Sequence, residues 1–541
     1  MAKDRGEAPW HENTIIYQVP TGLLKDTNGN GWGDLRGVAQ SLQHIHDLGA
    51  DAIWMQPFYS SPYVDGGYDV LDHLTVSDRF GTIEDFKDLM ATADNLDVKV
   101  ILDLVVQHTS EGHPWFREAC RDRGSKYRDY YIWADEPHDT IVEPMFPTVD
   151  DSVWAWREEA GQYYRHTFYD HEPDLNVGNP DVRDEIFRIM EFWLDQGVAG
   201  FRVDAVPYLV AEAARTDGRD DGFWLLDDLR EIVQKHRPDG ILIAEADVEP
   251  EEYADYFGDG NRFTMLLDFW WNNHLFLALA RGEAEPLERA LRSQPKPPPG
   301  CQYAIWLRNH DELDLERLSD AEQEETMAVF APEPQMRAFG RGIRRRLAPM
   351  LSDPRQLKLA MFLLASSPGI PVLLYGDEIG MGEDLELPDR ASVRTPMQWS
   401  NTLNAGFSDA EPIELVHPVI AQGPFGYQHL NVEDQSKDPE SLLETLKHLF
   451  AIRRELGPFL TSTAQVVEVD SPGVLCLRHN DGGAPALVLA NLSSTGVDVV
   501  LPEQHRDDWR EVVADHAYES TSVEEAIHVH GYGYRWFRLG S

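Results

Sequence analysis

Residues 200–206, Gly-Phe-Arg-Val-Asp-Ala-Val, constrain the fold of this chain more than any other segment. An apolar helical run ends at Gly197, and a short apolar strand over residues 198–203 places Asp204 at its carboxyl end. Helix, glycine, strand and terminal acid in this order are typical of a parallel α/β barrel, in which the catalytic groups lie at the carboxyl ends of the strands.

Arg202 and Asp204 are two residues apart in this strand, so their side chains point to the same face of the sheet. An arginine at close range lowers the pKa of a carboxyl group. The sequence therefore predicts that Asp204 is ionised and able to act as a nucleophile. Taken alone, the pair is equally compatible with a buried structural ion pair.

Strands and helices alternate along most of the chain, a pattern that predicts parallel βαβ units. Residues 110–178 interrupt the alternation with an aromatic, charged stretch that is too long for an ordinary loop, which indicates an inserted domain. After a helix near residues 441–456, short strands and turns predict a C-terminal β domain. The predicted boundaries are 1–109 and 179–456 for the barrel, 110–178 for the inserted domain and 457–541 for the β domain, with lid segments around 312–350 and 380–438.

Composition excludes several classes of function. The net charge of −47 over 541 residues disfavours binding to nucleic acid or to an anionic membrane surface. We find no apolar stretch of the roughly 20 residues that a membrane-spanning helix needs, and no apolar segment of a secretory signal at the start. Cys120, Cys301 and Cys476 are scattered and odd in number, which fits a reducing compartment. We therefore predict a soluble cytoplasmic protein and leave open whether it forms a homo-oligomer.

A loop near the N-terminus is a candidate metal site. Its side-chain oxygens come from Asp26, Asn28, Asn30 and Asp34, and this all-oxygen set suits a structural Ca²⁺ or Mg²⁺ ion. Gly37 stands where an EF-hand has its glutamate, so the loop is not an EF-hand. The alternative is a polar Asn-Gly turn without metal. No dinucleotide or phosphate-loop glycine pattern follows the strands, so no organic cofactor is expected.

Two carboxylates at the ends of neighbouring strands point to a reaction. Asp204 ends one strand and Glu245 ends the next, and adjacent strands lie roughly 4.8 Å apart. Retaining glycosidases need two carboxyl groups about 5–5.5 Å apart, one as nucleophile and one as acid/base. Apolar neighbours should keep Glu245 protonated, as a general acid requires. Asp311 follows another strand and is positioned to bind sugar hydroxyls.

Four ordered segments resemble the signature regions of glycoside hydrolase family 13, the α-amylase family. They are residues 103–108, 200–204, 241–245 and 309–311. The resemblance covers nearly the whole chain. It implies a (β/α)₈ TIM barrel with an inserted subdomain after the third strand and a C-terminal antiparallel β-sandwich.

The resemblance also implies the role of each site residue. Asp204 would form a covalent β-glucosyl intermediate, Glu245 would be the acid/base, and Asp311 would stabilise the distorted sugar. The family's other site residues match substrate-binding positions here: His108, Arg202 and His310 along the reacting sugar, Tyr68 stacked on it, and Asp65 with Arg394 at its non-reducing end.

Within the family, residues 309–313, 342–349, 375–382 and 393–399 resemble the branch that isomerises maltose and trehalose. The partners expected from this likeness are disaccharides and other short α-glucosides. The basic stretch 337–346 is predicted to belong to a lid, the alternative being a solvated surface helix. Glu172 and Asp247 stand where relatives usually have amides, and we expect their negative charge to lie near the acceptor site. They leave open an α-glucosidase, or a transglucosylase with a different acceptor.

Overall fold

The computed structural model describes residues 9–137, 145–146, 149, 151–216, 221–459, 464–480, 485–518 and 526–540. The start of the chain, on which the prediction of no signal rests, lies outside the described residues. So do parts of the predicted inserted domain and of the C-terminal domain.

Eight parallel strands close into a barrel, which confirms the predicted fold class. The first strand pairs with the last, with Ile16 opposite Val372, so the sheet has no open edge. Every residue of the first strand is buried, as the apolar sequence of a barrel strand requires. In chain order the strands are Ile16–Val19, Ala52–Met55, Lys99–Leu104, Gly200–Val203, Ile241–Ala244, Met265–Leu267, Gln302–Trp306 and Ile370–Leu374.

Helices cover the outside of the barrel. The first long one begins at the cap Asp34, whose carboxylate accepts from the backbone N–H of Gly37, and ends at Gly49 in the left-handed conformation. Such a cap at each end satisfies backbone groups that the helix leaves unpaired. The principal helices around the barrel are Leu35–Leu48, Ile83–Asn95, Pro180–Asp195, Val206–Thr216, Trp224–His236, Tyr253–Phe257, Phe269–Arg281, Glu285–Ser293, Pro354–Ser366 and Leu442–Leu456.

Two smaller units stand at the carboxyl end of the barrel. The first follows the third strand and contains the helix Pro114–Arg121 and a three-stranded sheet of Trp133–Ala134, Gln162–Arg165 and Trp154–Arg157. The second contains the helix Asp320–Phe330 and a sheet of Leu313–Asp314, Gly342–Ile343 and Arg337–Ala338. The stretch 337–346 is therefore strand and turn, and the alternative of a surface helix is wrong.

The C-terminal part is an antiparallel β unit. A five-stranded sheet of Gln465–Val466, Val474–His479, Ala486–Asn491, Tyr534–Leu539 and Trp509–Ala514 shares one apolar core with the pair Val497–Val499 and Ile527–Val529. It packs on the barrel through Phe362, whose ring stacks on Tyr534 with centroids 4.2 Å apart. Within the described ranges, no helix has both the length and the apolar character needed to cross a membrane.

Candidate active site

Arg202 is the centre of the site. Its guanidinium is 1% exposed and contacts three carboxylates at once. Nη1 lies 2.7 Å from Asp103 and 2.5 Å from Asp204, and Nη2 lies 2.7 Å from Glu245. One buried planar cation thus holds the two predicted catalytic acids side by side, because a guanidinium can bond several oxygens in fixed directions.

Close packing of two strands brings these acids together. Gly200 pairs with Ile241 in the neighbouring strand, and a Cβ at Gly200 would lie 2.0 Å from the carbonyl oxygen of Ile241. Beyond the strand, Ala205 has a positive φ of 51°, and its N–H donates to Glu245 Oε2 at 3.0 Å. Left-handed backbone at a non-glycine residue is strained and is often found at functional sites.

Burial controls the protonation of both acids. It raises the pKa of Asp204 to about 6 despite Arg202, with Asp103 and Asp311 adding to the rise. It raises the pKa of Glu245 to about 7, again against Arg202. The prediction for Glu245 has the right direction. Arg202 does lower the pKa of Asp204, as predicted, but burial outweighs this effect, so the pKa of Asp204 lies above its ordinary value.

Asp311 is surrounded by cations. Arg390 and Arg394 approach its Oδ1 to 3.2 and 2.9 Å. Burial alone would raise its pKa, but the charges of Arg390 and Arg394 hold the pKa well below the usual range. Asp311 is therefore the permanently ionised member of the three acids. Sequence reasoning missed Arg390; its position four residues before Arg394 was the only available signal.

His310 and Tyr68 form a stacked pair beside Asp311. The rings lie 5.3 Å apart and 8° from parallel, and the Tyr68 hydroxyl is 2.7 Å from His310 Nε2. The same hydroxyl donates to Asp103 at 3.0 Å, and Gln18 is 2.7 Å from His310 Nδ1. Burial lowers the pKa of His310 well below its ordinary value, so the ring is neutral. Part of the Tyr68 face predicted to meet sugar is packed on protein.

His108 and Asp65 line the same cavity as Asp204, Glu245 and Asp311. Burial lowers the pKa of His108 to about 3, so it is a neutral hydrogen-bonding group. Burial raises the pKa of Asp65, with the charges of Arg390 and Arg394 opposing that rise. Arg394 bonds to Asp311 and to the His310 carbonyl, and its charge also acts on Asp65.

The two departures from the family pattern lie in different surroundings. Glu172 is fully buried beside Asp65 and Asp69, and burial together with their charges raises its pKa well above the ordinary value. Glu172 is not among the described residues that line the cavity, whereas Asp247 is.

The wall of the cavity around Asp247 is acidic. Oxygens of Asp247, Asp314 and Glu316 all lie within 4.8 Å of one another. Arg317 lies 2.9 Å from Asp247, and Arg341 lies 3.0 Å from Asp314 and 2.8 Å from Glu316. We call the three carboxylates the acceptor wall. Sequence reasoning found only Asp247, because Asp314 and Glu316 reach the cavity through the small sheet that follows the seventh barrel strand.

Aromatic side chains pack around Arg390, which lines the cavity. Phe146 of the inserted unit packs on Phe339 of the second small unit, with ring centroids 4.5 Å apart. Arg390 lies 4.8 Å from the Phe146 ring and 5.5 Å from the Phe339 ring. The cavity lined by Asp204, Glu245 and Asp311 has a volume of about 130 Å³, below the roughly 300–1,000 Å³ of most ligand pockets. We call the Phe146–Phe339 contact the roof.

A comparison with protein families decides the relationship. The family model described as "Alpha amylase, catalytic domain" matches residues 18–329 and 343–462. The chain belongs to the α-amylase family.

Individual relatives agree with this membership of the α-amylase family. The trehalose synthase of Pimelobacter sp. is 38% identical over 99% of this chain and 96% of its own length. The trehalose-6-phosphate hydrolase of Escherichia coli is 32% identical over 95% of this chain and 96% of its own. Such likeness over full length shows that the chain is an enzyme.

A solved structure supports the fold. The trehalulose synthase of Pseudomonas mesoacidophila aligns with a TM-score of 0.78 at 23% identity, covering 99% of this chain and 100% of that one. At this identity the likeness speaks for the architecture alone, which is the α-amylase barrel with its inserted and C-terminal units.

The predicted cation loop lies away from the catalytic acids. Asp26 Oδ1 accepts from the N–H groups of Asn28 and Gly29, and Oδ2 accepts from Gly31 and from the Ser408 hydroxyl. Asp34 accepts from Thr27 and caps the helix that follows. Asn28 and Asn30 are exposed. The donor set is entirely oxygen, which fits a hard cation.

Proposed function

We propose that this α-amylase family enzyme interconverts maltose and trehalose by moving one glucosyl unit within the active site. One observation carries the proposal. A single small cavity contains a nucleophile, an acid/base and, beyond them, a wall of hydroxyl-accepting carboxylates. The likeness to trehalose synthases over the whole chain supports the same assignment.

In the first step, Asp204 attacks the anomeric carbon of the non-reducing glucose of maltose. The bond from that carbon to the O4 of the second glucose breaks, and Glu245 gives its proton to this oxygen. The products are a β-glucosyl ester of Asp204 and free glucose. Asp311 is ionised throughout, so it stabilises positive charge on the sugar in the transition state.

In the second step, the released glucose presents its anomeric hydroxyl in place of O4. Glu245, now a carboxylate, removes the proton from that hydroxyl, and the oxygen displaces Asp204. The new bond makes trehalose and restores both acids. The acceptor wall suits this exchange because carboxylates accept hydrogen bonds from any hydroxyl, so both orientations of glucose find partners. Arg317 and Arg341 already pair with these three acids. We therefore propose that the acids bind sugar hydroxyls and not a metal ion.

Water must be excluded while the glucose turns, because water would otherwise hydrolyse the ester. The roof supports this requirement, since the rings of Phe146 and Phe339 pack on Arg390, which pairs with Asp311. The roof has to open for a disaccharide to enter, so opening can limit turnover.

The test is a proton NMR time course of the purified full chain with maltose and, separately, with trehalose. We expect each disaccharide to form from the other with only a small yield of glucose. Glucose as the main product would instead assign the chain as an α-glucosidase. Oligosaccharides or mixed products as the main signals would assign a transglucosylase with another acceptor.

We also propose that residues 26–34 hold a structural Ca²⁺ or Mg²⁺ through Asp26, Asn28, Asn30 and Asp34. The oxygen-only donor set supports this, and the ion would brace the loop that leads into the first long helix. A cytoplasmic location is a further proposal. It rests on three free, buried cysteines, which fit a reducing compartment.

A further inference from the structure

A second cavity lies behind Tyr68, on the side away from Asp204. Its volume is about 350 Å³, and its lining includes Thr21, Trp32, Tyr63, Phe80, Ala391 and Arg394. We call it the rear pocket. We propose that the rear pocket binds a neutral pyranose ring, such as free glucose, and that occupancy changes the turnover of the neighbouring catalytic site. The proposal rests on the proposed function only for the choice of a sugar as ligand.

Aromatic walls give the rear pocket the character of a ring-binding site. Trp32 and Tyr63 lie 5.7 Å apart at 61°, and Tyr63 and Phe80 lie 5.2 Å apart at 88°. Arg79 lies 4.8 Å from the Trp32 ring and 4.7 Å from the Tyr63 ring, so it holds both rings in place. A volume within the usual range for ligand sites and a mainly apolar lining with a few polar groups are typical of small-molecule pockets.

One polar group in the lining is unsatisfied. The Thr21 hydroxyl is buried and has no hydrogen-bond partner among the described residues, and Thr21 is 2% exposed. A buried hydroxyl without a partner costs free energy, so most such groups in proteins have one. A sugar hydroxyl in the rear pocket would supply the missing bond.

Backbone strain and exposure mark the same wall. Tyr63 has a positive φ of 64°, a conformation that bulky residues rarely adopt and that is concentrated at ligand sites. Its neighbour Val64 is 68% exposed. Placing the Tyr63 ring in the pocket wall therefore requires a strained backbone at Tyr63 and leaves the Val64 side chain exposed.

The lining charges select the class of ligand. None of the described residues around the rear pocket is acidic, in contrast to the catalytic cavity, which is lined by Asp204, Glu245 and the acceptor wall. A cationic ligand therefore finds no counter-charge in the rear pocket. Flat apolar walls with isolated hydrogen-bonding groups suit the faces and edges of an uncharged sugar.

Two residues connect the pockets. Tyr68 lines both cavities and bonds to His310. Arg394 lines the rear pocket and bonds to Asp311 on its other side. A sugar in the rear pocket therefore touches the groups that position His310 and Asp311, so it should change kcat and not only compete with substrate.

The experiment has a structural arm and a kinetic arm. Crystals of the full chain are soaked in D-glucose, and initial rates with trehalose are measured with and without D-glucose. We expect density for one pyranose between Trp32 and Thr21, and a fall in kcat with glucose that excess trehalose does not reverse. Glucose density confined to the catalytic cavity would overturn the inference. Density in the rear pocket with unchanged kcat would overturn its link to turnover.

Two variants outside the catalytic machinery sharpen the kinetic arm. Ala391→Leu fills the rear pocket, and we expect it to weaken the effect of glucose on kcat at least about tenfold while the rate without glucose stays within about twofold. Thr21→Val keeps the shape and removes the hydroxyl, and should weaken the effect about fivefold. An unchanged glucose effect in Ala391→Leu would contradict the proposal.

The structural arm needs no turnover, which separates the two proposals. If maltose is not converted but glucose occupies the rear pocket, the proposed function fails and the rear pocket stands. If maltose is converted and the rear pocket is empty, the opposite holds.

Discussion

The donor end of the catalytic cavity is built from barrel strands, whereas the acceptor end is built from the segments that connect them. Asp103 and Arg202 face each other in paired strands. Asp204 directly follows the strand of Arg202, and Glu245 directly follows Ile241–Ala244, the other neighbour of that strand. Asp314 instead belongs to the small sheet after the seventh strand, Glu316 lies in the turn that follows, and the roof joins two separate units.

The difference shows how the enzyme divides two requirements. Breaking the glycosidic bond requires fixed positions, and a closed barrel with a fully buried arginine provides them. Releasing, turning and recapturing glucose requires space and several alternative partners. Short connecting segments with exchangeable carboxylates provide these better than strands can.

The largest effect should come from removing the nucleophile at the donor end. Asp204→Asn keeps the shape and one Arg202 contact but cannot form the ester, so kcat for maltose should fall about 10⁴-fold or more. The melting temperature, measured by calorimetry, should change little. Retention of substantial activity in protein freed of host glucosidases would contradict the role of Asp204.

The pH profile should show the two donor-end acids as a pair. Asp204 must be ionised to attack, so the rate falls as pH drops below about 6. Glu245 must be protonated to release glucose, so the rate falls as pH rises above about 7. We expect a narrow bell in kcat/KM whose limbs belong to the coupled pair. A rate that is flat from pH 5 to 9 would be inconsistent with these buried acids.

A smaller effect should follow from a change at the acceptor end. Asp247→Ala removes one carboxylate of the acceptor wall, so the released glucose is held less well and its yield from maltose should rise about threefold. The matched variant Asp247→Asn keeps a hydrogen-bonding oxygen at this position. Its glucose yield from maltose should lie between those of the native chain and of Asp247→Ala.

The donor end provides the control for Asp247. Hydrolysis of α-glucosyl fluoride uses a leaving group too small to contact the acceptor wall, so its kcat should stay within about twofold in both variants. An equal loss of kcat with the fluoride and with maltose would show that Asp247 acts on the donor end. The donor and acceptor ends would then not have separate roles.

The smallest effect should come from the cation loop, which lies outside both ends. Removing a bound ion with EDTA should lower the melting temperature by roughly 2–6 °C, because ligand binding to the folded state stabilises it. Added CaCl₂ should restore the temperature, and Asn28→Ala should reduce the response. An identical melting temperature with and without EDTA would leave a polar turn as the better description.

Sequence reasoning reached the donor end because its residues follow strands at regular places. His108, Arg202, Asp204, Glu245 and His310 each stand in or just beyond a barrel strand. Parallel strands bring their carboxyl ends to one edge, so a linear pattern is enough to group them. Arg390 and Glu316 lie in irregular segments whose course depends on tertiary packing, and no periodicity marks them.

The pKa of Asp204 also could not be predicted from its neighbours in the sequence. Along the chain, Arg202 is its only charged neighbour within two residues, which indicated a lowered pKa. In the fold, Asp103 and Glu245 share that arginine, and burial together with the charges of Asp103 and Asp311 outweighs its effect on Asp204.

By itself, the sequence determined the barrel, its interruption after the third strand, the β unit at the end and the identity of three acids. These depend on local periodicity, on Gly200 at a close strand approach and on the order of motifs along the chain. Only the tertiary structure decided which acids share Arg202, that Asp247 lines the cavity while Glu172 is buried beside Asp65, and that Phe146 meets Phe339. Those properties depend on burial and on contacts between residues distant in sequence, and both arise only when the segments pack together.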